Sequence, residues 1–368
     1  MATELVLLRD GEELALLLVE EPEAHLHPQL QERVMDLLKE HSKEDQAEKR
    51  VQVILTTHSP SLVSTARIED MTLVHKAQTF PLAAGKTKLK RTDYSFLRRF
   101  IDATKANLFF ARGVMMVEGP AEAILVPAIA EMCGRSFSKN GVSMVNVGHI
   151  GLYHYARIFQ REGTGPDIPI PVVCLTDRDI VPDVANTYVS RPAKGKRFDS
   201  DYSALEMAQV VQSKKDRAEG GNTIVCVSDR WTLEYDLALY GCAKLMHLAI
   251  SLAVKANSRD ERLEEQDEIL TLAEAEANWT KLTAAGHTAE AVAAIIYRPL
   301  KMKEASKAIA AQYAAHLVYT GAYGKDEELF KKLPPYLQAA LSHLTIAPAP
   351  KPTAVSSAGN GSVSPGAV

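Results

Sequence analysis

Val114-Met115-Met116-Val117-Glu118-Gly119-Pro120-Ala121-Glu122 reads as a buried strand, a tight turn and the opening of a helix. A short apolar run bounded by turn residues suits a strand covered on both faces. Gly119 is expected to allow the sharp turn, and Pro120 suits the first helical turn. Glu118 then stands at the carboxyl end of the strand, and Glu122 lies in the first turn of the helix, close enough to share a site. A second run, Pro171-Val172-Val173-Cys174-Leu175-Thr176-Asp177-Arg178-Asp179, also ends in acid. Side chains on an extended chain repeat every two residues, so the Asp-x-Asp spacing predicts Asp177 and Asp179 on one side. Open parallel sheets carry their sites at the carboxyl ends of strands, and both acidic pairs are expected to converge there.

Working outward, Val142–Val147 and Thr223–Val227 are further candidate strands, with helices at about 120–133 and 152–162 between the first three. Upstream, Leu14–Val19, Val51–Leu55 and Met71–Val74 suggest another alternation of buried parallel strands with helices. From about 237 to 343 the pattern is wholly helical. Leu237, Leu239, Leu245, Leu248, Leu252 and Val254 suggest one amphipathic helix, and the charged stretch Arg259–Glu276 a solvated face. The expected divisions are a first lobe over 1–80, a connector over 81–112 and a catalytic core over 113–240. A helical insertion over 241–300, helices completing the catalytic lobe over 301–346 and a disordered Pro/Ala/Ser/Gly tail over 347–368 follow.

Four carboxylates in one place repel unless cations neutralise them. Hard oxygen donors select Mg²⁺, Mn²⁺ or Ca²⁺ over zinc. Two such ions about 3.5–4 Å apart activate a water and stabilise the leaving oxygen of a phosphodiester. In the first lobe, Leu16-Leu17-Leu18-Val19-Glu20-Glu21-Pro22-Glu23 is a strand ending in adjacent carboxylates, which alternation forbids from projecting the same way. Val53-Ile54-Leu55-Thr56-Thr57-His58-Ser59-Pro60 is a second strand, ending in a histidine able to touch a terminal phosphate. His25, His27 and Glu23 read as packing or capping groups rather than a metal site, and His149 as a turn residue.

The first lobe resembles the Walker B, D-loop and switch-histidine portion of an ABC-type ATPase of the SMC and RecF kind. The resemblance makes Glu20 the Mg²⁺-side acid, Glu21 the catalytic acid and His58 the switch histidine. No G-x-x-x-x-G-K-[ST] loop is present to cradle phosphates, so ATP hydrolysis is not expected of this chain alone. The chain is expected to be the later part of a longer protein that uses ATP. The Glu-Gly then Asp-x-Asp pattern resembles the Toprim domain. An ABC-type lobe followed by Toprim is the layout of the OLD (overcoming lysogenization defect) nucleases, a likeness covering roughly residues 14–320. It implies an α/β fold: a Rossmann-like parallel sheet with a helical insertion, preceded by a partial ATPase lobe. It also implies metal-dependent DNA cleavage, with Glu118 the central acid and Glu122, Asp177 and Asp179 metal ligands. In Ser228-Asp229-Arg230-Trp231-Thr232-Leu233-Glu234-Tyr235-Asp236, Thr232 and Glu234 would serve a second metal. Asp236 reads as an exposed first-turn helix acid. Lys307 would stabilise transition-state charge, with Lys301 and Lys303 competing for that role. The rival reading is a non-catalytic DNA- or protein-binding module of an SMC-like ATPase. Strand passage or primer synthesis ranks lowest, for want of a tyrosine-nucleophile, template-binding or zinc part.

Composition bounds these readings. Hydrophobic residues at 46% and charged residues at 24% describe an ordinary globular protein. A formal net charge of −4 argues against a purely charge-driven nucleic-acid binder. Even so, the basic run Lys86, Lys88, Lys90, Arg91, Arg98, Arg99 and the loop Lys194-Gly195-Lys196-Arg197 are candidate backbone contacts. No aromatic-interleaved basic stripe is evident in the sequence. The four cysteines are widely spaced, which favours a reducing cytoplasm over a disulfide framework. No apolar run reaches the roughly 18–20 residues of a membrane span. The expected partners are DNA and, through the missing ATPase part, a further copy of the chain.

Overall fold

The computed structural model describes residues 15–42, 51–148, 151–260, 263–321, 323 and 328–346. Leu14, His149 and the tail expected from 347 lie outside the described residues. In the first lobe, β1 (Ala15–Glu20) and β2 (Val51–Thr56) pair in parallel, with α1 (Pro28–His41) between them and α2 (Pro60–Thr65) after them. Leu38 and Val51 anchor its small core. Leu16, Leu18 and Ile54, which share the other face of this strand pair, are exposed.

The third run does not join that sheet. β3 (Thr72–His75) and β4 (Gln78–Pro81) form an antiparallel hairpin instead. Its two-residue turn, Lys76–Ala77, has φ of 46° and 63°. Two successive left-handed residues make the turn whose twist matches an antiparallel pair, and the usual Asn-Gly signal for it is absent here. The stretch read as a connector is likewise folded. Within it stands α3 (Arg91–Phe100), β5 (Gly113–Val117) follows, and Phe80, Leu82, Leu89, Tyr94 and Leu97 are buried with Val114 and Met116 in one core.

The second sheet is built from β5, then α4 (Pro120–Met132), β6 (Val142–Asn146), α5 (Leu152–Ala156), β7 (Val172–Thr176), α6 (Ala204–Asp216) and β8 (Thr223–Val227). Its order is β6-β5-β7-β8, and every pair is parallel. Burial of all five residues of β5 and of β7 fits a sheet covered on both faces. Met115, Val117, Val173 and Leu175 pack into one core, Val114, Met116, Val172 and Cys174 into the other, as strand alternation requires. The chain leaves β5 for β6 on one side and returns to β7 on the other. Such a reversal opens a crevice at the carboxyl ends of the two strands.

The helical part begins with α7 (Leu233–Leu239) and α8 (Ala243–Asn257), so the single amphipathic helix expected from Leu237 is two, broken at 240–242. α9 (Glu265–Ala284), α10 (Ala289–Lys301), α11 (Lys307–Tyr319) and α12 (Pro335–Leu344) complete it. α11 packs against α4 and α8, which carries its first residue back to the sheet. Among the described residues, no helix is long and apolar enough to cross a membrane.

Met116 is fully buried at the centre of the sheet. Met116→Ala should therefore lower the unfolding free energy by about 2–5 kcal/mol. Urea titration followed by circular dichroism checks this; a loss below 1 kcal/mol would mean that the sheet is not packed as described.

Candidate active site

Four chain segments meet at the carboxyl edge of the second sheet. Glu118 follows β5, and Glu122 lies in the first turn of α4. Asp177 follows β7, Thr232 is the N-cap of α7, and Lys307 is the first residue of α11. The turn at Gly119 departs from the reading given to it. Its φ is −148°, open to any residue, so conformational freedom is not what glycine supplies. A Cβ there would lie 2.8 Å from Glu122 Oε2, so glycine is the residue that lets the Glu122 carboxylate fold back over the turn.

Asp177 is half-buried, and its Oδ1 accepts the Leu233 amide at 2.9 Å, which ties the end of β7 to the start of α7. Thr232 Oγ1 donates to Glu234 Oε2 at 2.9 Å, and Lys307 Nζ donates to the same oxygen at 2.8 Å. Lys307 also lies 3.8 Å from Asp177 Oδ2. Glu234 Oε1 is buried with no hydrogen-bond partner. Burial, then the charges of Glu234 and Glu118, push the Glu122 carboxyl up. Burial and the charges of Glu234, Glu122 and Asp179 push Asp177 well above the usual carboxylate range. Burial works against charge on Lys307, yet Glu234, Tyr297 and Asp177 together raise its ammonium above its ordinary value.

Asp179 does not run parallel to Asp177. β7 ends at Thr176, and Asp179 has φ 67°, so the period of two stops before it applies. Its exposed carboxylate pairs with Lys214 at 3.0 Å, while Lys214 also donates to the Asp177 carbonyl. Lys214, near the end of α6, thus staples the Asp177–Asp179 turn; nothing in its sequence context announced that. The competing lysines are elsewhere: Lys301 sits over the Trp231 ring at 5.3 Å, and Lys303 is exposed with φ 60°.

Asp236 is the clearest correction. It is fully buried, not exposed, and accepts the backbone amides of Asp229 at 2.7 Å, Arg230 at 3.2 Å and Trp231 at 3.3 Å. It shapes the loop that presents Thr232 and Glu234. The helical register of α7 turns it inward, against the polarity that suggested exposure. Burial pushes its carboxyl up to about 7, against the pull of the amides.

In the first lobe Glu20 is exposed, while Glu21, at φ 42°, faces His58 Nε2 at 3.4 Å. Glu23 accepts the Thr57 hydroxyl and the His58 amide, each at 2.7 Å. It holds the His58 turn, and His25 and His27 are exposed with no part in it.

The donor set fits a hard divalent cation: oxygen ligands only, mutually repelling carboxylates, and an orphaned buried carboxylate oxygen on Glu234. The side chains are turned toward Lys307, Thr232 and backbone. Among the described residues no three His, Cys, Asp or Glu side chains converge on one point as a bound ion demands. Side-chain rotation would have to gather them.

A four-stranded parallel sheet with an acid after its first strand and an acidic loop after its third defines a Toprim domain. The family described as "Overcoming lysogenization defect protein-like, TOPRIM domain" matches residues 109–179, and "AAA domain, putative AbiEii toxin, Type IV TA system" matches residues 5–64. Residues 109–179 thus match an OLD-like Toprim domain, and residues 5–64 upstream of them match an ATPase-type domain. It is 27% identical to an OLD nuclease of Thermus scotoductus over 47% of its own length and 32% of that protein. With endonuclease GajA of Bacillus cereus it shares 24% identity over 46% of its length and 27% of that protein. It thus spans about a third of the length of the curated relatives it matches. Among solved structures, the C-terminal region of the Burkholderia pseudomallei OLD protein aligns with 64% of this chain and 97% of its own, at 20% identity and a TM-score of 0.34.

A carboxyl raised to about 7 binds a proton that the unfolded chain has released, so its share of stability is complete below the unfolded value of about 3.9 and is lost as pH rises through 7. Thermal melts of Asp236→Asn should fall less between pH 5 and pH 8 than those of the parent; an equal fall would place the titration elsewhere. Asp236→Ala, which strands buried amides, should cost roughly 1–3 kcal/mol.

Proposed function

We propose that the chain is the catalytic portion of a metal-dependent DNA endonuclease that hydrolyses phosphodiester bonds. The observation that carries this is the half-closed carboxylate cluster at the crevice of a Toprim sheet, with Glu234 Oε1 buried and unpaired beside Lys307. Its likeness to named nucleases supports the same reading.

Glu118, Glu122, Asp177 and Asp179 would hold one divalent ion, Mg²⁺ or in its place Mn²⁺ or Ca²⁺, with Thr232 and Glu234 serving a second. When bound, such a pair activates water for attack and stabilises the leaving oxygen. Lys307, fixed by Glu234 and Asp177, presents positive charge where the phosphorane would gain negative charge. Lys214 holds the Asp177–Asp179 turn, and Asp236 holds the loop before Thr232 and Glu234. Both keep ligand-bearing segments rigid. Glu20, Glu21 and His58 are assigned to the incomplete ATP site, whose exposed Leu16, Leu18 and Ile54 suit burial against the rest of an ATPase lobe and a second copy. Four buried free cysteines suit a cytoplasmic setting.

Supercoiled plasmid incubated with the chain and Mg²⁺ or Mn²⁺, without ATP, should become nicked and linear. EDTA, Glu118→Ala and Asp177→Ala should each abolish both products; products that persist in the two variants would exclude this site. Lys307→Met should lower kcat about 10²- to 10³-fold, as removal of a transition-state charge partner does. An unchanged kcat would leave Lys307 a structural counter-charge.

A further inference from the structure

The basic run from 86 to 99 becomes α3 and the loop leading into it. It carries six Lys and Arg residues and one acid, Asp93, in a chain whose net charge is −4. Arg98 is occupied by Glu69 at 2.5 Å, and Asp93 is fully buried. Among the described residues, no carboxylate lies within ion-pair distance of Arg91 or Arg99.

Residues four apart stand one above another on a helix. Arg91, Ser95 and Arg99 therefore form one row, and Thr92, Phe96 and Phe100 the row beside it. These six residues line a shallow, open hollow of about 290 Å³. The rings of Phe96 and Phe100 stack at 4.4 Å and 20°, and Phe96 stacks in turn on His154 at 4.1 Å and 21°. The stack is braced from within: Asp93 accepts from Arg157 at 2.8 Å and from the Lys90 amide at 2.7 Å, and it bonds the His154 ring. Its outer member, Phe100, is 47% exposed.

A rigid ladder of near-parallel rings ending in an open aromatic residue, flanked by two unneutralised guanidinium groups, matches one chemistry well. Phosphates want the arginine row, and an unstacked base wants the aromatic row. Duplex DNA offers the phosphates but keeps its base faces inside the helix. We propose that this face of α3 binds single-stranded DNA, with Arg91 and Arg99 on phosphates and a base stacked on Phe100. The face was missed in the sequence because the aromatics interleave with the cations only at helical spacing. His154 belongs to α5, the first helix after β6, which leaves the same sheet edge that Glu118 occupies. The inference rests on the proposed function only in taking DNA as the ligand.

The test uses the full chain in EDTA, so that no cleavage occurs, and reads fluorescence anisotropy of a labelled oligo(dT) and of a duplex of equal length. Phe100→Ala should weaken oligo(dT) binding roughly 5- to 100-fold and leave duplex binding unchanged. Phe100→Leu, which keeps apolar bulk without the ring, should behave like Phe100→Ala. The Arg91→Ala/Arg99→Ala pair should reduce the slope of log affinity against log salt by about 1.4 for the single strand. Undiminished oligo(dT) binding in both Phe100 variants, an equal loss on duplex, or equally tight binding of polyglutamate by the parent chain would each overturn the proposal. Because metal-dependent plasmid cleavage is read separately, inactivity there with oligo(dT) binding intact would count against the nuclease reading alone.

Discussion

Three carboxylates, Glu122, Asp177 and Glu234, are held near one another where water is scarce, with one ammonium, Lys307, among them. A single positive charge cannot balance that set if all three ionise. Two of them respond as isolated buried acids do, by holding protons more tightly. A set of packed hydrophobic side chains in the same place would often be as stable, so the charges are not there for stability alone. Much of the architecture serves to bring these groups together: the parallel sheet aligns two strand ends, and α11 returns from the helical region to deliver Lys307.

Around that cluster stands a frame of fixed polar contacts. Asp177 takes the Leu233 amide, Ser228 takes the Arg178 amide at 2.7 Å, and Asp236 gathers three amides of the loop between β8 and α7. These contacts tie the loops after β7 and β8 to each other. A scaffold of that kind holds in place the backbone that carries Asp177, Thr232 and Glu234.

The sheet was legible because buried parallel strands leave dense apolar runs: Val114–Val117 and Thr223–Val227 fall within or match the observed β5 and β8. The acids at strand ends were legible for the same reason, since a charge closing an apolar run must face an edge. What failed was geometry set by left-handed backbone. Asp179, Lys76 and Ala77 adopt positive φ without being glycine, so neither the diverging Asp-x-Asp turn nor the β3–β4 hairpin left its usual residue signal. Asp236 and Lys214 escaped for another reason. Their partners are backbone groups and a distant turn, which one-dimensional spacing does not encode.

Binding of Mn²⁺ to the DNA-free chain, followed by calorimetry in two buffers of different ionisation enthalpy, tests the account most directly. If the carboxylate cluster is the metal centre, the parent chain will bind Mn²⁺ and release protons to the extent that Asp177 and Glu122, whose hold on protons burial strengthens, carry them before ligation. Asp177→Asn will then lose both the binding and the proton release. Mn²⁺ binding that survives unchanged in Asp177→Asn, or no binding by the parent chain, would contradict it.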